Sequence, residues 1–213
     1  MKSFPFALLA FGAISSAHAK QPNILFLFSD DHALRSISAY GGDLAKVAPT
    51  PNIDRLAASG AIFKNSFCGN SICGPSRATI MTGKHSHKNG FLRNSGKGLD
   101  QSQWTVAKAL NGDGYTTAII GKWHLVSNPV GFDYWEILPG QGSYYNPVFH
   151  QMDGSKKQFT GYCTDIFFDH AIDWIKRSAA SGEPFFAYLP TNTPHGPFLA
   201  PDEDIEVMEE VVT

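Results

Sequence analysis

The chain has 213 residues, 43% of them apolar and 17% charged, with a formal net charge of -2. That length and composition allow one α/β domain with a sizeable core. The near-neutral balance speaks against nucleic acid or an anionic membrane surface as a partner.

The N-terminus reads as an export signal. Lys2 supplies a short positive region, residues 4–14 form an apolar run too short to span a bilayer, and Ala17-His18-Ala19 fits a small-x-small cleavage site. Cleavage there removes residues 1–19 and leaves Lys20 as the mature terminus, with no membrane segment afterwards. The expected location is periplasmic or extracellular. Three cysteines, Cys68, Cys73 and Cys163, leave one thiol over in an exported chain.

Residues 23–28, Asn-Ile-Leu-Phe-Leu-Phe, form a continuous apolar run of the kind found in a strand buried on both faces. It ends in Ser29-Asp30-Asp31-His32. Thr50, Pro51 and the apolar spacing to Leu56 predict a helix stopped at Gly60. Residues 61–66 read as a short strand leading to Cys73, and Pro75 suits the first turn of a helix beginning just after that cysteine. A helix follows over 104–110. A second buried strand, 115–120, ends in Gly121-Lys122-Trp123-His124. Residues 131–149 lack periodicity and are rich in glycine and aromatics, so they read as a loop. An amphipathic helix over 164–176 precedes a third strand, 184–189, which ends in Thr191-Asn192-Thr193-Pro194-His195. After Phe198 the acidic residues from Asp202 to Glu210 suggest the start of a further helix.

Strands alternating with helices predict an α/β fold: a mostly parallel sheet with helices on both faces. Ligands bind at the carboxyl ends of such strands, and all three strands release polar, acid–base or metal-capable residues there. Each group also has a plainer reading when taken alone. Asp30 and Asp31 offer hard oxygen ligands to Ca²⁺ or Mg²⁺, or cap a turn. Cys73 at a helix N-terminus, with Arg77 one turn on, suits a nucleophile or an anion site, or a small residue beside a surface cation. Lys122 and His124, two apart, project the same way from extended backbone and suit an oxyanion that needs proton transfer. His195 lies in a loop stiffened by two prolines. Lys84, His85 and His87 fit a solvated face.

The run from Ser71 to Gly90 contains Cys73-Gly-Pro75-Ser-Arg77-Ala and then Thr82-Gly-Lys84. It resembles the signature of the type I sulfatases, in the alkaline phosphatase superfamily. Gly121-Lys-Trp-His-Leu125 and Thr193-Pro-His-Gly-Pro197 resemble two further motifs of that family, as does the acidic pair after the first strand. The resemblance implies that Cys73 is oxidised to Cα-formylglycine by a formylglycine-generating enzyme, which reads Cys-x-Pro-x-Arg. It implies that Asp30, Asp31 and converted Cys73 ligate Ca²⁺ (or Mg²⁺), and that Arg77 and Lys122 balance sulfate charge. His124 would assist sulfate release, and His195 would protonate the leaving alcohol. Lys84 matches a position that is usually basic. Conversion of Cys73 would leave Cys68 and Cys163 as the two thiols available to pair, on count alone.

Family members are about twice this length. The chain is therefore expected to correspond to the N-terminal part of the catalytic domain (residues 20–213), with an incomplete metal site, an exposed sheet edge and no turnover by itself. The implied substrate is a sulfated carbohydrate, on loop resemblance N-acetylglucosamine 6-sulfate of glycosaminoglycans or mucins. Two alternatives stand beside it: a phosphonate or phosphodiester hydrolase of the same superfamily, and a non-catalytic fragment that binds sulfated glycans.

Overall fold

The structure is a computed structural model that describes residues 21–94 and 96–206. The segment expected to be an export signal, its expected cleavage site and the end of the acidic tail lie outside the described residues. In chain order the elements are β1 (Ile24–Phe28), three short 3-10 turns, α1 (Pro51–Ser59), α2 (Cys73–Thr82), α3 (Ser86–Asn89), α4 (Val106–Gly112), β2 (Thr116–Lys122), β3 (Tyr134–Leu138), β4 (Val148–Gln151), β5 (Lys156–Gln158), α5 (Cys163–Ser181) and β6 (Phe185–Pro190). Residues 202–206 are helical. None of the described helices is long and apolar enough to cross a membrane.

Among the described residues, six strands form one sheet in the order β1-β6-β2-β3-β4-β5. The first four in that order run parallel, and β4 and β5 are antiparallel to their neighbours. Alternate residues face opposite sides, as a period of two requires. Ile119 of β2, with Phe186 and Tyr188 of β6, packs with Ala78 and Met81 of α2 and Ala107 of α4. Ala118, Ile120, Phe185, Ala187 and Leu189 pack on the other side with Cys163, Phe167, Ala171 and Trp174 of α5. Helices therefore cover both faces, as the alternation predicts.

The register of α5 follows from its sequence. Phe167, Ala171, Trp174 and Ser178 are spaced four, three and four apart and are its buried stripe. Trp174 meets Phe185 edge-on, centroids 5.8 Å apart. Gly182 stops the helix with a left-handed φ of 79°, a conformation that costs glycine little.

Several sequence expectations need correction. Residues 61–66 form no strand: they run through bends, and Phe63 is 72% exposed. The segment 131–149 holds β3 and the beginning of β4. Its central Glu136, which breaks the apolar pattern, is buried because His170 Nδ1 lies 2.8 Å from Oε1 and the Tyr134 hydroxyl donates to Oε2. Among the described residues strand β1 is one edge of the sheet and is not buried on both faces: Leu25 and Leu27 are 49% and 47% exposed. Helix α5 runs to Ser181, past the expected 176. The three thiols are free. Cys163, the first residue of α5, is buried in the core, where burial pushes its thiol up to about 12, while Cys68 is exposed in the loop before α2 and contacts Ser76.

Candidate active site

Strands β1, β6 and β2 are adjacent and parallel, so their carboxyl ends lie side by side. The chains leaving β1 and β6 are tied together there: Thr191 N–H donates to Phe28 O and Asp30 N–H to Thr193 O, both at 2.8 Å. This brings Asp30, Lys122 and the Thr191–His195 turn onto one rim. Gly121, at φ 136°, allows the close approach beside Lys122: a Cβ there would sit 2.1 Å from Pro190 O.

Helix α2 delivers the cysteine and the arginine. Ile72 is its N-cap and Cys73 its first residue, so the cysteine lies within the helix rather than just before it, and Pro75 stands in the first turn. Gly74 N–H donates to Asn94 Oδ1 at 2.9 Å. One turn on, Arg77 is 1% exposed, which overturns its reading as a surface cation. It donates to Lys122 O at 2.6 Å and to Thr191 O at 3.3 Å, pairs with Asp30 Oδ2 at 3.3 Å, and lies 5.3 Å from the Phe28 ring centre. A planar guanidinium has donors enough to join three strand ends in this way.

Lys122 is fully buried, and its Nζ donates to both Asp30 Oδ2 and Gln141 Oε1. Burial pushes its ammonium below the usual lysine range, while Asp30 pulls it back up. A lysine has no acceptor, so Gln141 must turn its amide oxygen towards it. His124 does not continue the strand. Its φ of 53° turns it aside from Lys122, still near enough for the Lys122 charge to act on it. Burial first, then Lys122 and Arg77, lower its pKa to about 4, so the imidazole is neutral at pH 7.

Cys73, Asp30, Asp31 and Arg77 line one cavity of about 310 Å³, together with Cys68 and Ser76. Asp31 adopts φ 58° and faces His195, whose Nε2 is 3.6 Å from Asp31 Oδ2. Left-handed backbone at non-glycine residues clusters at functional sites because the surroundings must enforce it. His195 Nδ1 donates to Gly196 O at 2.7 Å, and the Tyr144 hydroxyl lies against the carbonyls of Asn192 and His195. Lys84 does not join this group; it is exposed beside Gln103. His85 and His87 are exposed, their rings stacked 5.9 Å apart.

Buried polar atoms without a hydrogen-bond partner concentrate at this rim: Arg77 Nε, His124 Nδ1, Gln141 Nε2, Tyr188 Oη and both ends of the fully buried Asn192 amide. Such groups normally find partners, so their concentration marks a polar site. The two carboxylates match the donor chemistry of Ca²⁺, which takes about six to eight oxygens. Among the described residues, no group of three His, Cys, Asp or Glu side chains is arranged to hold a metal. The donor type fits; the donor number is short. Gln141 and Tyr144 were not legible in the sequence, since nothing in a glycine- and aromatic-rich stretch marks a polar residue as inward-facing; Asn192 lies in the polar run after the third strand, but nothing there marks it as buried.

The chain belongs to the sulfatase family, whose family model matches residues 22–212. It is similar to the N-acetylglucosamine-6-O-sulfatase of Bacteroides thetaiotaomicron, 44% identical over 207 residues that make up 92% of this chain and 36% of that protein. The N-acetylgalactosamine-6-sulfatase of Homo sapiens is 31% identical over 89% of this chain and 42% of its own length. A solved structure in complex with its substrate D-glucosamine-2-N,6-O-disulfate superposes with a TM-score of 0.84 and 41% identity, over 91% of this chain and 39% of that one. The chain thus spans less than half the length of these relatives.

Proposed function

We propose that the protein is a sulfuric ester hydrolase acting on a sulfated carbohydrate, with N-acetylglucosamine 6-sulfate in a glycosaminoglycan or mucin as its substrate. The chief support is geometric: a cysteine on the first turn of α2 shares one cavity with Asp30, Asp31 and the buried Arg77, which hydrogen-bonds the Lys122 carbonyl. The 6-sulfate assignment rests on similarity to the bacterial relative.

Each residue has a role in this reading. Lys122 and Arg77 supply buried positive charge for a sulfate group, stronger there than in water. Arg77 acts by charge and by holding the rim, since its terminal nitrogens already serve Lys122, Thr191 and Asp30. His195 donates a proton to the ester oxygen as the S–O bond breaks. Neutral at pH 7, His124 is ready to take the proton released as sulfate leaves. Cys73, once converted to formylglycine by a maturating enzyme, supplies a hydrated aldehyde with one hydroxyl to attack sulfur and a second to expel sulfate. Asp30, Asp31 and converted Cys73 would hold Ca²⁺ or Mg²⁺, which when bound lowers a hydroxyl pKa and draws charge from sulfate oxygens.

Mass spectrometry of the Cys73 peptide from the native host tests this directly. An aldehyde in place of the thiol supports the reading; an intact thiol with no turnover of aryl sulfate overturns it. With two carboxylates for a metal, the 213-residue chain alone is expected to be inactive, and measurable turnover by it would refute that. We also propose export to the periplasm or beyond, supported by the apolar N-terminal segment. A mature protein beginning at Lys20 is the expected result, and retention of Met1 would sink the idea.

A further inference from the structure

We infer that a second cavity, adjoining the sulfate site at His124, is the subsite for the leaving sugar, and that His150 and Asn128 read that sugar's hydroxyl and amide groups. The inference rests on the functional reading above. The cavity measures about 280 Å³ and is lined by Phe91, Trp123, Asn94, Asn128, His124 and His150. That is near the lower end of ligand-pocket sizes, about 300–1,000 Å³, and so suits a single ring. Two aromatic walls with a few convergent amides and imidazoles are the mixture that an amphipathic sugar ring requires. No lysine or arginine lines it among the described residues.

Three contacts join this cavity to the chemistry. His124 is itself part of the wall, and the charges of Lys122, Arg77, Asp30 and His195 act on it. Asn94 accepts the N–H of Gly74, the residue next to Cys73. Gly140, also in the wall, precedes Gln141, which holds the Lys122 ammonium. A sugar in this cavity would therefore lie close to His124, Cys73 and Lys122, which the reading assigns to sulfate chemistry.

Sheet geometry explains why His150 reaches it. His150 pairs with Ile137 across β3 and β4, while its neighbour Phe149 is sealed in the core under α5. Alternation then puts His150 on the opposite face, the side of Ile137 and Trp123. Burial and Lys156 hold its imidazole below the usual histidine range, so it serves as a neutral donor and acceptor, which a hydroxyl can match. Val126, also in the wall, adopts φ 66°. That is a conformation β-branched residues avoid, and such strain gathers at ligand sites.

The test uses protein made from its complete reading frame in the native host. It compares kcat/KM for N-acetylglucosamine 6-sulfate with kcat/KM for 4-nitrophenyl sulfate, which has no sugar. For His150→Ala and Asn128→Ala the ratio of the two is expected to fall roughly fivefold to tenfold each, the effect of losing one neutral hydrogen bond. His150→Gln should recover part of it. Asn128 is exposed, so its variant reports even if that of His150 folds poorly. Ratios within twofold of wild type for both alanine variants overturn the subsite while leaving the sulfatase reading intact. A wild-type protein that turns over neither substrate overturns both.

Discussion

Asp30 and Lys122 meet across the width of a strand: they leave β1 and β2, which flank β6, and Lys122 Nζ donates to Asp30 Oδ2 with both side chains buried. Arg77 reaches the same oxygen at 3.3 Å. One carboxylate thus answers two buried cations, and removing it leaves both uncompensated. Asp30→Asn is expected to destabilise the fold by about 3–5 kcal/mol, because breaking a buried pair strands a charge. Lys122→Met should cost less, since Arg77 still pairs with Asp30. Combining the two should recover part of the loss. Urea unfolding of the two single variants and the double checks this, and additive losses would show that the pair is not coupled.

The rim of this site was legible because its residues stand where apolar runs end. Asp30 and His195 follow strands rich in hydrophobic residues and Lys122 ends another, and parallel topology does the rest. Burial was less legible. Nothing local distinguishes Leu25 at a sheet edge from Ile119 at its centre, because the difference lies in which strand pairs beside it. The depth of Arg77 was not legible, although its place in the site was, because its carbonyl partners lie 45 and 114 residues away. Strand β3 was hidden by Glu136, whose burial depends on His170 of a helix not yet begun. His150 was illegible for the same reason: it lies one residue past a stretch without periodicity, on a strand that pairs with β3.

His124 links the site to pH. Its pKa of about 4 lies below the 6.5 of a free histidine, chiefly through burial. Between those values the unfolded chain takes up a proton that the folded chain refuses, so stability falls as pH drops from 6.5 towards 4 and is unaffected by this group above 6.5. The thermal midpoint should follow that course. His124→Gln, which keeps a neutral polar group, should flatten it, and an unchanged pH profile in the variant would show that His124 is not the responsible group.

The thiols should differ sharply in reactivity. Cys68 is exposed, whereas Cys163 is buried with its thiol pushed up to about 12. Attack requires thiolate and access together. In native protein a thiol-specific reagent such as Ellman's should modify Cys68 readily and Cys163 only after denaturant is added. The two thiols are not bonded to each other: one is exposed in the loop before α2, the other buried in the first turn of α5. A protein that shows no reactive thiol until it is reduced would contradict this arrangement.

Gly74 supports a test of how α2 is seated. A Cβ at this position would lie 2.7 Å from Asn94 Oδ1, 2.7 Å from Phe91 Cε1 and 2.9 Å from His124 O. The Phe91 ring is buried and the His124 carbonyl is backbone, so neither yields cheaply. Gly74→Ala must therefore displace the first turn of α2, and with it Cys73 and the hydrogen bond from Gly74 N–H to Asn94. Overpacking of this kind costs about 1–3 kcal/mol, and a shift of about 1 Å at a reacting group can lower turnover roughly a hundredfold. The expected outcome is a modest loss in the denaturant midpoint together with a far larger loss of aryl sulfate turnover in protein from the complete reading frame. Losses of equal size in free-energy terms would place the effect in the core alone, and unchanged activity would mean that Cys73 tolerates the shift.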